Sequence, residues 1–78
     1  MPHLPDDDAW LLAERQAIGD RIRVERIRQN RTQESVFLAA RVSRSVYQEV
    51  ESGQTDAKVT TLLRIARVLG MHPADLLR

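Results

Sequence analysis

Apolar residues recur at intervals of three and four along most of the chain, and no stretch shows the strict alternation typical of a strand. This spacing predicts an all-α protein of five helices, the first of them long. The apolar residues that carry the first and fourth predicted helices are Trp10, Leu11, Ile18, Ile22 and Ile27, and Val59, Leu62, Leu63, Ile65, Ala66 and Leu69.

Residue types that start and stop helices set the expected boundaries. The first helix should begin near Ala9, after an aspartate cap, and end near a left-handed Asn30. Gly19 is a possible break in it, and we favour one continuous or slightly kinked helix over two separate ones. Small polar residues that accept a backbone N–H are expected to cap the second, third and fourth helices, and glycine and proline mark the other ends. These residues are Thr32, Ser43 and Asp56 for the caps, Gly53 for a left-handed turn, and Gly70 and Pro73 around the last boundary.

The segment 32–53 is the part of the chain that most suggests a function. It reads as two short helices joined by a tight corner, and in the second of them Val46, Tyr47 and Val50 form an apolar face that anchors the helix. The remaining side chains of that helix are polar and are led by Arg44. Such a pair is typical of a helix-turn-helix that presents its second helix to a ligand. DNA is the first candidate, because a helix fits the major groove and arginine reads guanine there.

Size and charge are compatible with that reading without proving it. A chain of 78 residues forms one domain. We expect residues 1–8 to be a flexible acidic segment and residues 9–78 to form the helix-turn-helix domain. The first eight residues hold three aspartates and no lysine or arginine, so the remainder has 12 basic and 8 acidic residues, a net charge of +4. A mildly basic body suits a phosphate-facing surface, and ordinary surface charge explains it equally well.

Composition argues against several other classes. The chain has no cysteine, so disulfides and thiolate metal sites are excluded. No apolar run approaches the ~20 residues that span a bilayer, and the acidic N-terminus does not resemble a signal peptide. We therefore expect a cytoplasmic, nucleoid-associated protein with no membrane partner. His3 and His72 are too isolated for a metal site, and the serines have no neighbouring base, so we expect neither an enzyme nor a cofactor.

An ordered set of residues resembles the Xre family, the lambda-repressor/Cro-like helix-turn-helix domain of bacterial and phage regulators. The resemblance implies a five-helix domain that binds operator DNA as a homodimer, with a recognition helix at about 43–51. The long N-terminal helix extends beyond it. The residues that carry it are Ile18-Gly19, Ile22, Arg26, Thr32-Gln33-Glu34, Val36, Val42-Ser43-Arg44-Ser45, Tyr47, Val50-Glu51, Gly53, Leu62, Ile65-Ala66, Leu69-Gly70 and Asp75-Leu76-Leu77.

The same resemblance implies roles for individual residues. Double-stranded DNA would be contacted by the start of the second helix and by the outer side of the third. Arg26 and Glu51 match a buried structural ion pair that joins the first helix to the end of the third. The implied DNA-binding residues are Gln33, Ser43, Arg44, Ser45, Val46, Gln48 and Glu49.

Two departures from the family pattern lie at the corner of the motif. Phe37 stands where the family prefers alanine, between the two helices, and Arg41 stands where it prefers glycine, in a left-handed turn. In addition, Glu49 and Asp56 place negative charge where a phosphate contact is usual. We expect Phe37 to splay the two helices and Arg41 to strain or shift the corner, which bears on tight operator binding more than on the fold.

Two functions from different classes stay open at this point. The first is a sequence-specific transcriptional regulator, and the second is a protein-interaction module, such as an antitoxin or accessory regulator, that keeps the helix-turn-helix as a scaffold. The dimer contact is equally open. Trp10 and its neighbours are core residues or a dimer surface, and Met71, Leu76 and Leu77 near the C-terminus are the other candidate surface.

Overall fold

The computed structural model describes residues 7–78, which are helical throughout apart from their connections. Within this range there are four α-helices, no strand, and a final single turn of 3₁₀-helix in place of the fifth α-helix that we predicted. The elements are α1 (Asp7–Arg28), α2 (Gln33–Ala40), α3 (Arg44–Ser52), α4 (Val59–Leu69) and a C-terminal 3₁₀ turn (Pro73–Leu76).

Helix α1 starts two residues earlier than predicted, so Asp7 and Asp8 belong to its first turn rather than to a flexible segment. Negative charge is favourable there, because the N-terminal end of a helix carries the positive end of its dipole. The rest of the predicted flexible segment, residues 1–6, lies outside the described residues. At the other end α1 finishes at Arg28, and Asn30 takes the expected left-handed conformation, with φ 55°.

The predicted caps of α2 and α3 are confirmed. The Thr32 hydroxyl accepts the Ser35 N–H at 3.0 Å, and the Ser43 hydroxyl accepts the Val46 N–H at 3.2 Å. The predicted cap of α4 is wrong. This helix begins at Val59, too far from Asp56 for a cap, and Lys58 holds the N-cap position without a side-chain hydrogen bond.

A single apolar core lies where all four helices and the 3₁₀ turn meet. Its centre is formed by Ile22, Val36, Tyr47 and Ile65, each from a different helix and each fully buried. The predicted stripes of α1 and α4 were too wide. The residues of those stripes that lie at the surface are Trp10, Leu11, Ile27, Val59 and Leu63.

Gly19 determines how closely α1 approaches α3. A Cβ atom built on Gly19 would lie 2.4 Å from the carbonyl oxygen of Glu51 and 2.5 Å from that of Val50. No side chain larger than hydrogen fits, so the two backbones are in direct contact. This contact fixes the end of α3 against the long helix and leaves the opposite side of α3 facing outward.

Candidate nucleic-acid interface

Helix α3 has one buried side and one exposed side. Tyr47, Val50 and Glu51 hold it to the core, whereas Val46, which we predicted to be part of that anchor, is 39 % exposed and lies on the outer side. Val46 precedes Tyr47 by one residue and therefore lies about 100° around the helix from it, at the edge of the buried side. The predicted DNA-binding residues that lie exposed on or next to this outer side are Ser43, Arg44, Ser45, Val46, Gln48 and Glu49.

The corner between α2 and α3 keeps a glycine-like backbone although it contains Arg41. This residue has φ 59° and ψ 44°, and its N–H donates to the Leu38 carbonyl oxygen at 3.2 Å. The next N–H, that of Val42, donates to the Phe37 carbonyl oxygen at 3.0 Å. Both bonds close the last turn of α2. Arg41 therefore carries the strain of a left-handed non-glycine residue, and the corner is not shifted.

The side chain of Arg44 is held by two residues of α2 that the sequence did not connect with it. Its guanidinium donates to the Glu34 carboxylate at 3.0 Å, and its Cζ atom lies 5.1 Å from the centre of the Phe37 ring. The ring itself is buried and lies 6.1 Å from that of Tyr47. The phenylalanine that departs from the family pattern thus forms a platform beneath the first arginine of α3.

A network of charged and polar groups lies beneath α3. The Arg26 guanidinium donates to both oxygens of the Glu51 carboxylate, at 2.7 and 3.1 Å, and to the Arg31 carbonyl oxygen at 2.9 Å. The Tyr47 hydroxyl and the Gln33 amide also donate to Glu51. Glu51 is only 6 % exposed, and within residues 7–78 no buried side-chain polar atom lacks a partner. The structure therefore brings Arg26 and Glu51 together as a bidentate pair across α1 and α3.

These contacts set the charge states in the network. Burial alone would raise the pKa of the Glu51 carboxyl, but the hydrogen bonds from Arg26, Tyr47 and Gln33 outweigh it, and the pKa lies below its ordinary value. The hydrogen bond to Glu51 raises the pKa of Arg26, and burial raises the pKa of the Tyr47 hydroxyl. At neutral pH the network consists of a carboxylate, a guanidinium and a neutral phenol.

Gln33 connects this buried network to the exposed side. Its amide donates to Glu51 at 3.2 Å, and its oxygen faces the Gln48 amide at 3.5 Å, which is at the long limit of a hydrogen bond. A shallow cleft between α1 and α3 is lined by both glutamines and by Arg23. Arg23 was not singled out from the sequence, although it lies one turn before Arg26 on the same helix. The outer surface thus holds exposed basic and amide groups, with Glu34 and Glu49 as its acidic members.

Metal sites and membrane-spanning helices are the remaining features to describe in this part of the chain. No group of three or more histidine, cysteine, aspartate or glutamate residues there is arranged to hold a metal ion. None of the helices in residues 7–78 has the length and apolar character that crossing a membrane requires.

Comparison with known proteins identifies the class. The profile of a helix-turn-helix family matches residues 22–76, which is well over half of the chain. The chain belongs to this family, the Xre/lambda-repressor-like helix-turn-helix proteins, and is a DNA-binding helix-turn-helix regulator.

A solved structure gives a more particular likeness. The chain is similar to the restriction-modification controller protein C.AhdI from Aeromonas hydrophila, with a TM-score of 0.78 and 28 % sequence identity. The similarity covers 82 % of this chain and 97 % of that one. No protein with a curated description matches the sequence.

Proposed function

We propose that this protein is a sequence-specific transcriptional regulator that inserts α3 into the major groove and binds operator DNA as a homodimer. The observation that carries the proposal is the two-sided character of α3. Three buried residues fix the helix to the core, and the side chains that can hydrogen-bond to bases and phosphates lie on its free side. A dimer of such domains would contact two half-sites about one helical turn apart.

In this arrangement the N-terminal half of α3 reads the bases. Arg44 donates to a guanine, Ser45 and Val46 contact neighbouring base edges, and Gln48 and Glu49 reach a base or the backbone one turn later. Gln33 and Ser43, both at helix N-termini, lie where backbone N–H groups and the helix dipole favour a phosphate. The buried pair of Arg26 and Glu51 supports α3 and does not contact DNA.

Glu34 and Phe37 supply a reason why Arg44 would work well as a reader. An exposed arginine side chain has many rotamers, and fixing one of them costs free energy when DNA binds. The Glu34 carboxylate and the Phe37 ring restrict Arg44 before it meets the groove. The Glu34 carboxylate also partly neutralises the charge of Arg44, which weakens its attraction to a phosphate. A base is therefore the favoured partner of Arg44.

We further propose that the regulated genes belong to a restriction-modification system. The support is the similarity to C.AhdI over nearly all of that chain. Selecting operators from the genomic DNA of the source organism tests this assignment, because the recovered site should lie upstream of restriction or methyltransferase genes. Sites recovered only elsewhere would contradict this assignment and leave DNA binding itself intact.

The main test is binding of Arg44→Ala to the selected operator in gel shifts. We expect a loss of about 1–3 kcal/mol, roughly 5- to 150-fold in affinity, and relaxed preference at one base pair of each half-site. Arg67→Ala is the matched control, because Arg67 is exposed on α4 beside Arg41 and outside the α3 surface. It should change affinity by less than about threefold.

Two results would contradict the proposal at different levels. Equal losses for the two arginine substitutions would mean that Arg44 contributes only charge. If the intact protein showed no salt-sensitive affinity for random duplex DNA at low salt, the protein-interaction module would be the better description, since any helix-turn-helix that binds DNA has such an affinity.

A further inference from the structure

Helix α1 carries a second apolar stripe on the side facing away from the core. Ile18 and Ile22 point into the protein, and Val24 lies two residues after Ile22, which is about 200° around the helix. The stripe on that far side recurs in alternating steps of three and four residues, the spacing of positions a and d in a heptad. We call it the outer stripe, and its members are Trp10, Ala13, Ala17, Asp20, Val24 and Ile27.

The large apolar residues of the outer stripe are more than half exposed. The exposed fractions are 59 % for Trp10, 61 % for Val24 and 56 % for Ile27. They extend along the whole of α1, from its first turn to its last. They lie on the side away from the core, with Ala13, Ala17 and Asp20 between Trp10 and Val24, and exposed apolar residues aligned along one side of a helix mark a candidate interface.

We propose that the outer stripe pairs with the outer stripe of a second copy of this chain, so that two α1 helices form an antiparallel two-stranded coiled coil. The proposal rests on the proposed function, since it names the surface by which the regulator forms its dimer. It concerns the long helix rather than the C-terminal residues around Leu77.

The charges beside the stripe fit an antiparallel pair. In that arrangement Trp10 of one copy packs on Ile27 of the other, and Ala13 packs on Val24. Residues at heptad position e then face each other across the pair. Two acidic and two basic residues occupy that position, and the register sets acid against base. The facing pairs are Asp7 with Arg28 and Glu14 with Arg21.

A parallel pair would be unfavourable for the same reason. There position g of one helix faces position e of the next heptad in its partner. Arg23 would then face Arg28 of the second copy, and Gln16 would face Arg21. Like charges in that position are repulsive, and neither acidic residue would gain a basic partner. The charge pattern therefore selects the antiparallel pair.

The charged groups remain able to make these contacts. Arg28 bonds to Glu25 within its own chain but is well exposed, and Arg21 bonds to the carbonyl oxygens of Leu76 and Arg78. A guanidinium has five N–H donors, so the two hydrogen bonds that each arginine makes leave three donors available. Asp20 is the polar member of the stripe, and its ion pair with Arg23, at 2.9 Å, reduces the repulsion between the two Asp20 carboxylates near the two-fold axis.

A second copy is the occupant that the stripe itself specifies. Both halves of the charge pattern lie on one helix, acidic toward its N-terminus and basic toward its C-terminus, so the surface is complementary to its own inverted image. An unrelated partner would have to carry the same pattern. The small residues Ala13 and Ala17 allow the two helices to approach closely at the centre.

Sedimentation equilibrium of the free protein tests the proposal with two matched valines. Val24→Glu should raise the dimer dissociation constant by about tenfold or more, because it places a carboxylate in an apolar contact. Val59→Glu, at an equally exposed valine on α4, should leave it within about twofold. A monomeric wild type, or a dimer weakened by Leu77→Glu and not by Val24→Glu, overturns the proposal.

Cysteine cross-linking tests the direction of the pair, since the sequence has no cysteine to interfere. Mixing Ala13→Cys with Val24→Cys and adding a short bis-maleimide should give the mixed dimer in preference to either self-linked dimer. Self-linking by each variant alone would overturn the antiparallel arrangement.

These outcomes are separate from those that test DNA binding. Val24→Glu keeps its α3 surface, so its affinity for a duplex holding a single half-site should equal that of the wild type within about twofold. If the protein is monomeric and still binds that half-site, the coiled coil is wrong and the DNA-binding assignment stands. If the protein is dimeric and binds no DNA, the DNA-binding assignment is wrong and the coiled coil stands.

Discussion

Replacing Arg26 by methionine should be among the most damaging single substitutions in this domain. The change keeps the length of the side chain and removes its charge, so the Glu51 carboxylate stays in a site that is 6 % exposed without its guanidinium. Removing one partner of a buried ion pair costs about 3–5 kcal/mol. Because Tyr47 and Gln33 still donate to Glu51, we expect the lower end, about 3 kcal/mol.

That loss is large for a protein of this size. A domain of 78 residues has a free energy of unfolding on the order of 4–12 kcal/mol. At roughly 4–8 °C per kcal/mol, the melting temperature should fall by about 12–24 °C, which circular dichroism measures directly. Arg78→Met is the control, because its ion pair with Asp75 is a surface contact outside α1 and α3. It should cost less than about 1 kcal/mol.

Two further measurements show whether the loss of stability comes from the unpaired Glu51 carboxylate. Adding Glu51→Gln to Arg26→Met should recover about 1–2 kcal/mol, since the amide oxygen still accepts from Tyr47 and carries no charge. The gap between wild type and Arg26→Met should also narrow as the pH falls from about 7 to about 3. In the wild type the pKa of Glu51 is depressed, so its contribution is present above the unfolded value of about 4.3 and is lost on acidification. In the variant that pKa is higher, so less stability is lost.

Three results would refute this reasoning. One is a loss below about 1 kcal/mol for Arg26→Met, equal to that of the Arg78→Met control. Another is a double variant that is less stable than Arg26→Met alone. The third is a gap that does not change with pH. Any of them would show that packing of the arginine stem, rather than charge, is what holds α1 to α3 at this point.

Two backbone positions give further predictions. Arg41→Gly should raise the free energy of unfolding by about 0.5–1 kcal/mol in thermal unfolding, because a left-handed residue with a Cβ is strained. Asn30→Gly should raise it by less, since asparagine tolerates the left-handed region. A loss of stability in Arg41→Gly would contradict this explanation. Gly19→Ala should lower the free energy of unfolding in urea by about 3 kcal/mol or more, because its Cβ would meet two carbonyl oxygens. Gly70→Ala, with open space around it, should lower it by only about 1 kcal/mol. Equal losses would mean that α1 and α3 move apart at little cost in free energy.

The sequence predicts most of the local structure because local signals determine it. The hydroxyl caps at Thr32 and Ser43 act within three residues, and the left-handed turns at Asn30 and Gly53 depend on residue type at one position. Periodicity likewise placed Ile22 and Ile65 in the core. It overestimated α4, because Val59 and Leu63 fit the helical spacing equally well and only the position of the neighbouring helices decides which residues they cover.

The parts of the surface that depend on angles between helices were not predictable in this way. The contact of Arg44 with Glu34 and Phe37 requires the geometry of the corner, which no single residue specifies. The position of Arg23 beside Gln33 and Gln48 requires the crossing of α1 over α3. For α1 the difficulty was different. Apolar residues lie on both of its sides, so a search for one hydrophobic face merged the core stripe with the outer stripe.

The direct backbone contact at Gly19 makes α1 and α3 a single mechanical unit. With no side chain between the two backbones, a tilt of α1 moves α3 with it. If two copies join through α1, the geometry of the coiled coil fixes the distance and the relative rotation of the two α3 helices. The spacing of the operator half-sites would then be set by the outer stripe of α1 rather than by the exposed side of α3.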